Sequence, residues 1–179
     1  MPLDLHPNLH ALAPLLGTWQ GRGSGEYSTI EPFDYLEEVT FSHVGKPFLI
    51  YGQKTKAAVD GAPLHAETGY LRVPRYNEVE LVLAHPSGIT EIEVGRYIAD
   101  GATIELEMST TQIGLAPTAK EVTALGRRFR LHGDELSYTV EMGAVGQPVQ
   151  HHLSASGMPP ASSRRGRSWP SSGPCAAPR

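Results

Sequence analysis

Two adjacent histidines, His151 and His152, lie near the end of the patterned part of this 179-residue chain. They sit on Val149-Gln150-His151-His152-Leu153, a run of strand length after a Gly/Pro turn. Imidazole is the side chain best suited to bind a transition metal or to move a proton near neutral pH. Alternate residues of a strand point to opposite faces, so one ring faces inward and the other outward. If Val149 faces inward, His151 and Leu153 follow it; a bulge or bend after Pro148 would turn His152 in instead. Periodicity leaves that choice open. An inward imidazole must be hydrogen-bonded or ligate something, since an unsatisfied buried polar group costs roughly 1–3 kcal/mol. The competing reading is a solvated strand end.

Other chemistries find few residues to carry them. There is no Gly-x-Ser-x-Gly elbow and no His-Glu-x-x-His helix. The single cysteine, Cys175, excludes disulfide frameworks, thiolate zinc sites and covalent haem attachment, and suits a reducing compartment. Of the eight histidines, His6, His10, His43, His85 and His132 fall near turns or on the first helix and are expected to be exposed. His65, after Pro63-Leu64, joins His151 and His152 as a candidate, with Met142 as a soft inward neighbour. Lys120 shares parity with Val122 and is expected to reach inward or to snorkel at the rim.

The elements that must position these residues are almost all strands. Glu135 to Met142 alternates apolar 136, 138, 140 and 142 with polar neighbours. The same alternation puts 79, 81 and 83 inward, then Ile92 and Val94 between outward Glu91 and Glu93, then Ile104, Leu106 and Met108. Phe129 and Leu131 face in while Arg128 and Arg130 face out, a change of parity that places a bulge at Gly126. Asp60-Gly61, Ser87-Gly88, Asp100-Gly101 and Gly133-Asp134 mark tight turns. Leu5, Leu9, Leu12 and Leu16 form one stripe of a short amphipathic helix. Gly17 to Tyr27 carries glycines at alternate positions, which leaves one face of an extended segment open to another backbone or a flat ligand. It is no dinucleotide loop, because no strand precedes it and no helix follows; Trp19 reads as core or barrel floor. The count is about ten strands, an all-β, ten-stranded antiparallel up-and-down barrel with a short N-terminal helix and room for a ligand.

Composition bounds the rest. The length suits one domain. A net charge of −4 with 19% charged residues gives no footprint for nucleic acid or an acidic membrane. The first residues show neither a signal peptide nor a spanning helix, so a cytoplasmic location is expected. Residues 1–155 form the barrel; residues 156–179 are rich in Pro, Ser and Arg without period, an expected disordered tail. One imidazole ligand, apolar walls, glycine-faced backbone and a cation near the rim together suit a porphyrin.

Gly17-Thr18-Trp19-Gln20-Gly21-Arg22-Gly23 resembles the Gly-x-Trp-x-Gly-x-Gly signature of nitrobindins, small ten-stranded haem b barrels, in their mycobacterial branch. The resemblance continues through Glu26 to Ile30, Tyr35 to Glu38, His43 to Pro47, Pro63 to Tyr70 and Gln147 to Leu153, and covers residues 1 to about 155. It implies that His152 is the proximal iron ligand and catalytic centre, with the strand bent by Pro148. It implies also that Thr29 contacts haem and that Leu64-His65 and Met142 line the cavity; Lys120 is added from parity. The implied activity is ferric isomerisation of peroxynitrite to nitrate, with reversible nitric oxide binding in the ferrous form. The sequence is silent on oligomeric state, a homodimer being one arrangement open to it. One departure stands out. Ser156-Gly157-Met158-Pro159-Pro160 interrupts the closing strand, so a short, loose seam and weakened haem affinity are expected. The competing readings are an apo barrel carrying a fatty acid or other apolar molecule, and a haem-deficient relative.

Overall fold

Alternating side chains make each segment a strand with one apolar face, and ten such faces are buried together only if the sheet closes on itself. A computed structural model describes residues 3–161 and shows that closure. The strands are β1 (Gly17–Tyr27), β2 (Ile30–Ser42), β3 (Phe48–Ala57), β4 (Pro63–Arg72), β5 (Glu78–His85), β6 (Ile89–Asp100), β7 (Thr103–Leu115), β8 (Val122–His132), β9 (Glu135–Ala144) and β10 (Gln150–Met158). Each pairs antiparallel with its sequence neighbours, and β10 returns to β1. Connections from odd to even strands therefore gather at one end of the barrel, the mouth, and those from even to odd strands at the other, the floor.

The floor is plugged by the N-terminal helix. It is a 3-10 helix, Pro7–Leu15, closed by i to i+3 bonds such as Leu9 N–H to His6 O at 2.8 Å and Leu16 N–H to Ala13 O at 3.1 Å. At three residues per turn the buried stripe is Leu9, Leu12 and Leu15, not the α-helical 5, 9, 12, 16 expected from spacing. Trp19 donates its indole N–H to Leu15 O at 2.9 Å, which ties the plug to the first strand. The indole is 2% exposed and forms the floor as expected.

Most inward positions are those that alternation predicts, including Val79, Leu81, Leu83, Ile104, Leu106, Met108, Phe129, Leu131, Leu136, Tyr138 and Val140. On β6 the pattern is reversed. Glu91 and Glu93 are 1% and 0% exposed, whereas Val94 is 45% exposed. Their carboxylates turn inward because Arg127 of β8 is inside to meet them. The β8 bulge is at Thr123, between the pairs Val122–Ala144 and Ala124–Gly143, rather than at Gly126.

β10 corrects a further expectation. It runs for nine residues, three past the boundary drawn at 155, and pairs with both neighbours. Its contacts with β1 extend from Gly25–Leu153 to Gln20–Met158, so the seam is closed. Proline at 159 falls after the last paired residue, where its missing N–H costs nothing to the ladder. The glycine face of β1 makes this closure possible. A Cβ at Gly21 would lie 1.9 Å from Ser156 O, and those at Gly23 and Gly25 would collide with the rings of Tyr35 and Phe33. That face is thus covered by a neighbouring backbone and by aromatic rings. The tail expected to be disordered lies, from residue 162 onward, outside the described residues. No helix among the described residues is long and apolar enough to cross a membrane.

Candidate functional site at the barrel mouth

The β9–β10 turn delivers the two histidines. Within this five-residue connection Gln147 N–H bonds to Ala144 O at 2.8 Å, and Val145 and Gly146 both take positive φ, 47° and 77°, as the central residues of a type I′ turn do. On β10 the pairs His151–Glu141 and Leu153–Val140 are consecutive on β9 but not on β10, so His152 is the extra residue of a bulge. The bulge at His152 itself, not a bend at Pro148, resolves the choice that periodicity left open. His151 stays exposed, and the His152 ring is half-buried.

That ring is held from two sides. Its Nδ1 lies 3.0 Å from Glu26 O, a carbonyl that can only accept, so Nδ1 carries the proton and Nε2 is left with a lone pair. Tyr27 meets it edge-on at 5.5 Å between centroids. The Tyr27 hydroxyl is fixed in turn, accepting from Ala144 N–H at 2.8 Å and lying 3.2 Å from Ala144 O. Burial lowers the His152 pKa against the opposing pull of the Glu26 carbonyl, and His151 and His65 lower it further, which favours the neutral ring. A neutral imidazole with Nδ1–H anchored and Nε2 available is the form that ligates iron, and Leu153 and Met142, on β10 and β9, pack against the core. The donor set fits a haem axial ligand.

The other predicted residues occupy the same end. Thr29 is exposed in the β1–β2 turn, His65 is near the start of β4, and Met142 near the end of β9 is half-buried. Lys120 lies in the β7–β8 connection before β8 begins, so parity with Val122 does not apply to it; it is exposed at the mouth. A hollow of about 1220 Å³, bordered by Glu107, Arg128 and Arg130 together with Tyr35, Phe129 and Tyr138, includes none of these residues.

Sequence reading missed a buried polar group behind His65. Arg127, 4% exposed, donates to both oxygens of Glu67 at 2.8 and 3.1 Å, to Glu91 at 2.6 Å and to Glu93 at 2.9 Å. Tyr51 donates to Glu67 at 2.7 Å. His85, expected to be exposed, has a side chain only 7% exposed, with Nε2 at 2.9 Å from Glu91 and Nδ1 at 3.0 Å from His65 Nε2. The available signal was Arg127 itself, which shares parity with Phe129 and Leu131 and so had to be inside.

The three carboxylates do not titrate alike. Burial pushes Glu67 up, but Arg127, His65 and His85 outweigh it and hold the carboxyl well below the usual range. Burial, with Glu91 and Glu67 adding to it against Arg127, raises Glu93 to about 8. Unfolded Glu93 titrates near 4.5, so between about 4.5 and about 8 unfolding releases a proton and stability falls as pH rises. Glu67 acts in the opposite sense, its contribution being lost as pH falls below the unfolded value. Glu93→Gln, which keeps an oxygen for Arg127, is expected to remove the decline above about 4.5. Urea unfolding of both proteins at about pH 5 and pH 8 measures this; equal pH slopes would contradict it.

A closed ten-stranded barrel with a plugged floor and an anchored, neutral imidazole at its mouth defines a class, the small ligand-binding β-barrels. Residues 8–156 match the model of the THAP4-like, heme-binding beta-barrel domain. The chain belongs to that family, and the nitrobindin resemblance stands with it. It is 77% identical over 155 residues to "Peroxynitrite isomerase 2" of Mycobacterium avium, covering 87% of this chain and 96% of that relative. It is 67% identical over 155 residues to "Peroxynitrite isomerase" of Mycobacterium leprae, with the same coverage. The crystal structure of Rv2717c from M. tuberculosis superposes with a TM-score of 0.86 at 67% identity, covering 87% of this chain and 99% of that one.

Proposed function

We propose that this chain is a haem-dependent peroxynitrite isomerase that holds haem b through His152 Nε2 and turns peroxynitrite into nitrate in its ferric form. The observation that carries the reading is the His152 ring, with Nδ1–H committed to Glu26 O and Nε2 unencumbered at the mouth. Its support is the family's haem-binding barrel and relatives 67–77% identical that bear the isomerase name. When bound, the haem supplies a Lewis-acidic iron that weakens the peroxide O–O bond.

The chain's own residues do the rest. Burial keeps the imidazole neutral while the Glu26 carbonyl and Tyr27 aim it, so that Nε2 would hold the iron of a haem able to take a small anion or nitric oxide. Leu153 and Met142 supply apolar wall beside the ligand and exclude water and competing phenols. Lys120, exposed at the rim, would offer a cation to the propionates, and Thr29 in the β1–β2 turn and His65 on β4 would help to hold the macrocycle at this end.

The test is haem loading followed by rapid mixing with peroxynitrite. A Soret band of a histidine-ligated haem, decay linear in holoprotein with nitrate as product, and protection of free tyrosine from nitration are expected. Stoichiometric haem uptake without faster decay than free haem would overturn the assignment.

A further inference from the structure

The buried group behind His65 does more than neutralise itself. We infer that His65, Glu67 and His85 form a divalent-cation site of the zinc class, separate from the axial imidazole of His152.

The three donor atoms already stand at the vertices of a small triangle. His65 Nε2 is 3.0 Å from His85 Nδ1 and 3.8 Å from Glu67 Oε2, and His85 Nδ1 is 3.5 Å from that same oxygen. Donors about 2.0–2.1 Å from a tetrahedral zinc are about 3.3 Å apart, which is the middle of this range. Strand geometry sets the triangle. His65 and Glu67 are two apart on β4 and share a face, and the Thr68–Ala84 pair, carried one residue further, brings His85 across from Glu67. Two imidazoles and one carboxylate with a fourth position toward the mouth is the donor set of an open zinc site.

The surroundings orient the ligands as a metal site requires. His85 turns its second nitrogen, Nε2, to Glu91 at 2.9 Å, the carboxylate–histidine arrangement that fixes a ligand's tautomer and raises its basicity. Glu67 is held by Tyr51 and by Arg127. A second, independent observation points the same way. Glu91, 1% exposed, keeps its Oε2 buried with no hydrogen-bond partner, directly behind His85. Glu67 and Glu91 both bond to the single guanidinium of Arg127, so two carboxylates share one cation here, and a dication at the His65–Glu67–His85 triangle supplies the missing positive charge. Entry is open, because the His65 side chain is 39% exposed at the mouth.

The experiment titrates the full chain, free of haem, with zinc in competition with a chromophoric chelator, and repeats it with cobalt(II) to read coordination from its visible bands. One equivalent of zinc and the intense bands of four-coordinate cobalt are expected. His65→Ala, at an exposed position that does not threaten the fold, is expected to weaken zinc binding beyond the roughly 10–100-fold expected for Glu91→Gln, which alters only the second shell. His152→Ala, which removes the proposed haem ligand, is expected to leave zinc affinity unchanged, so loss of the axial ligand is distinguished from loss of the zinc triangle. No stoichiometric uptake, or uptake that survives His65→Ala and vanishes in His151→Ala or His152→Ala, would overturn the site.

Discussion

His152→Ala is expected to abolish the histidine-ligated Soret band and to lower haem affinity by more than about 100-fold, since even second-shell changes at metal sites cost about 10–100-fold. Peroxynitrite decay should fall with it. His151→Ala is expected to keep both, because that ring is exposed and outside the bulge. The structural cost of His152→Ala is small. It removes one hydrogen bond to Glu26 O at a half-buried position, worth roughly 0.5–1.5 kcal/mol, so the barrel stays folded. Free imidazole added to His152→Ala should restore part of the band by filling the vacated space, which loss of fold would not permit. If His151→Ala rather than His152→Ala removes the band, the bulge register is wrong and the haem assignment goes with it.

Arg127→Met is expected to be the most destabilising single change in the barrel. Removing the guanidinium leaves Glu67, Glu91 and Glu93 buried without their shared cation, and breaking a buried ion pair in this way costs roughly 3–5 kcal/mol. For a chain of this size each kcal/mol moves Tm by about 2–4 °C, so a drop of roughly 6–20 °C is expected in calorimetry. The loss should be larger at high pH, where the unfolded chain ionises all three carboxyls freely. Converting the three acids to glutamine in the Arg127→Met background should recover much of it, because neutral amides bear burial better than unpaired charge. A drop in Tm of less than about 2 °C would show that water reaches the cluster and that its members are solvated rather than mutually neutralised.

The predicted His152 assignment and the buried Arg127 group mark the two ways in which this chain was and was not legible. Leu81, Leu106, Phe129, Leu131, Leu136 and Tyr138 all face inward as their alternation demands, because an apolar side chain has one comfortable side of a sheet wherever its neighbours lie. That alone, repeated through ten strands with tight turns between them, determines the barrel. Glu91 and Glu93 broke the same rule. A charged side chain has no intrinsic preference for the interior, and its burial depends on a partner that the chain brings in from elsewhere.

The sequence by itself therefore determined the architecture and, outside β6, most of the inward apolar set. Tertiary structure alone decided which of the two adjacent imidazoles turns in, and it drew Glu67, Glu91 and Glu93 around Arg127 from 60, 36 and 34 residues away. The physical reason is common to both. A one-residue bulge and a long-range ion pair leave the local pattern of polar and apolar residues unchanged, and each is settled only when strands distant in the chain are laid side by side.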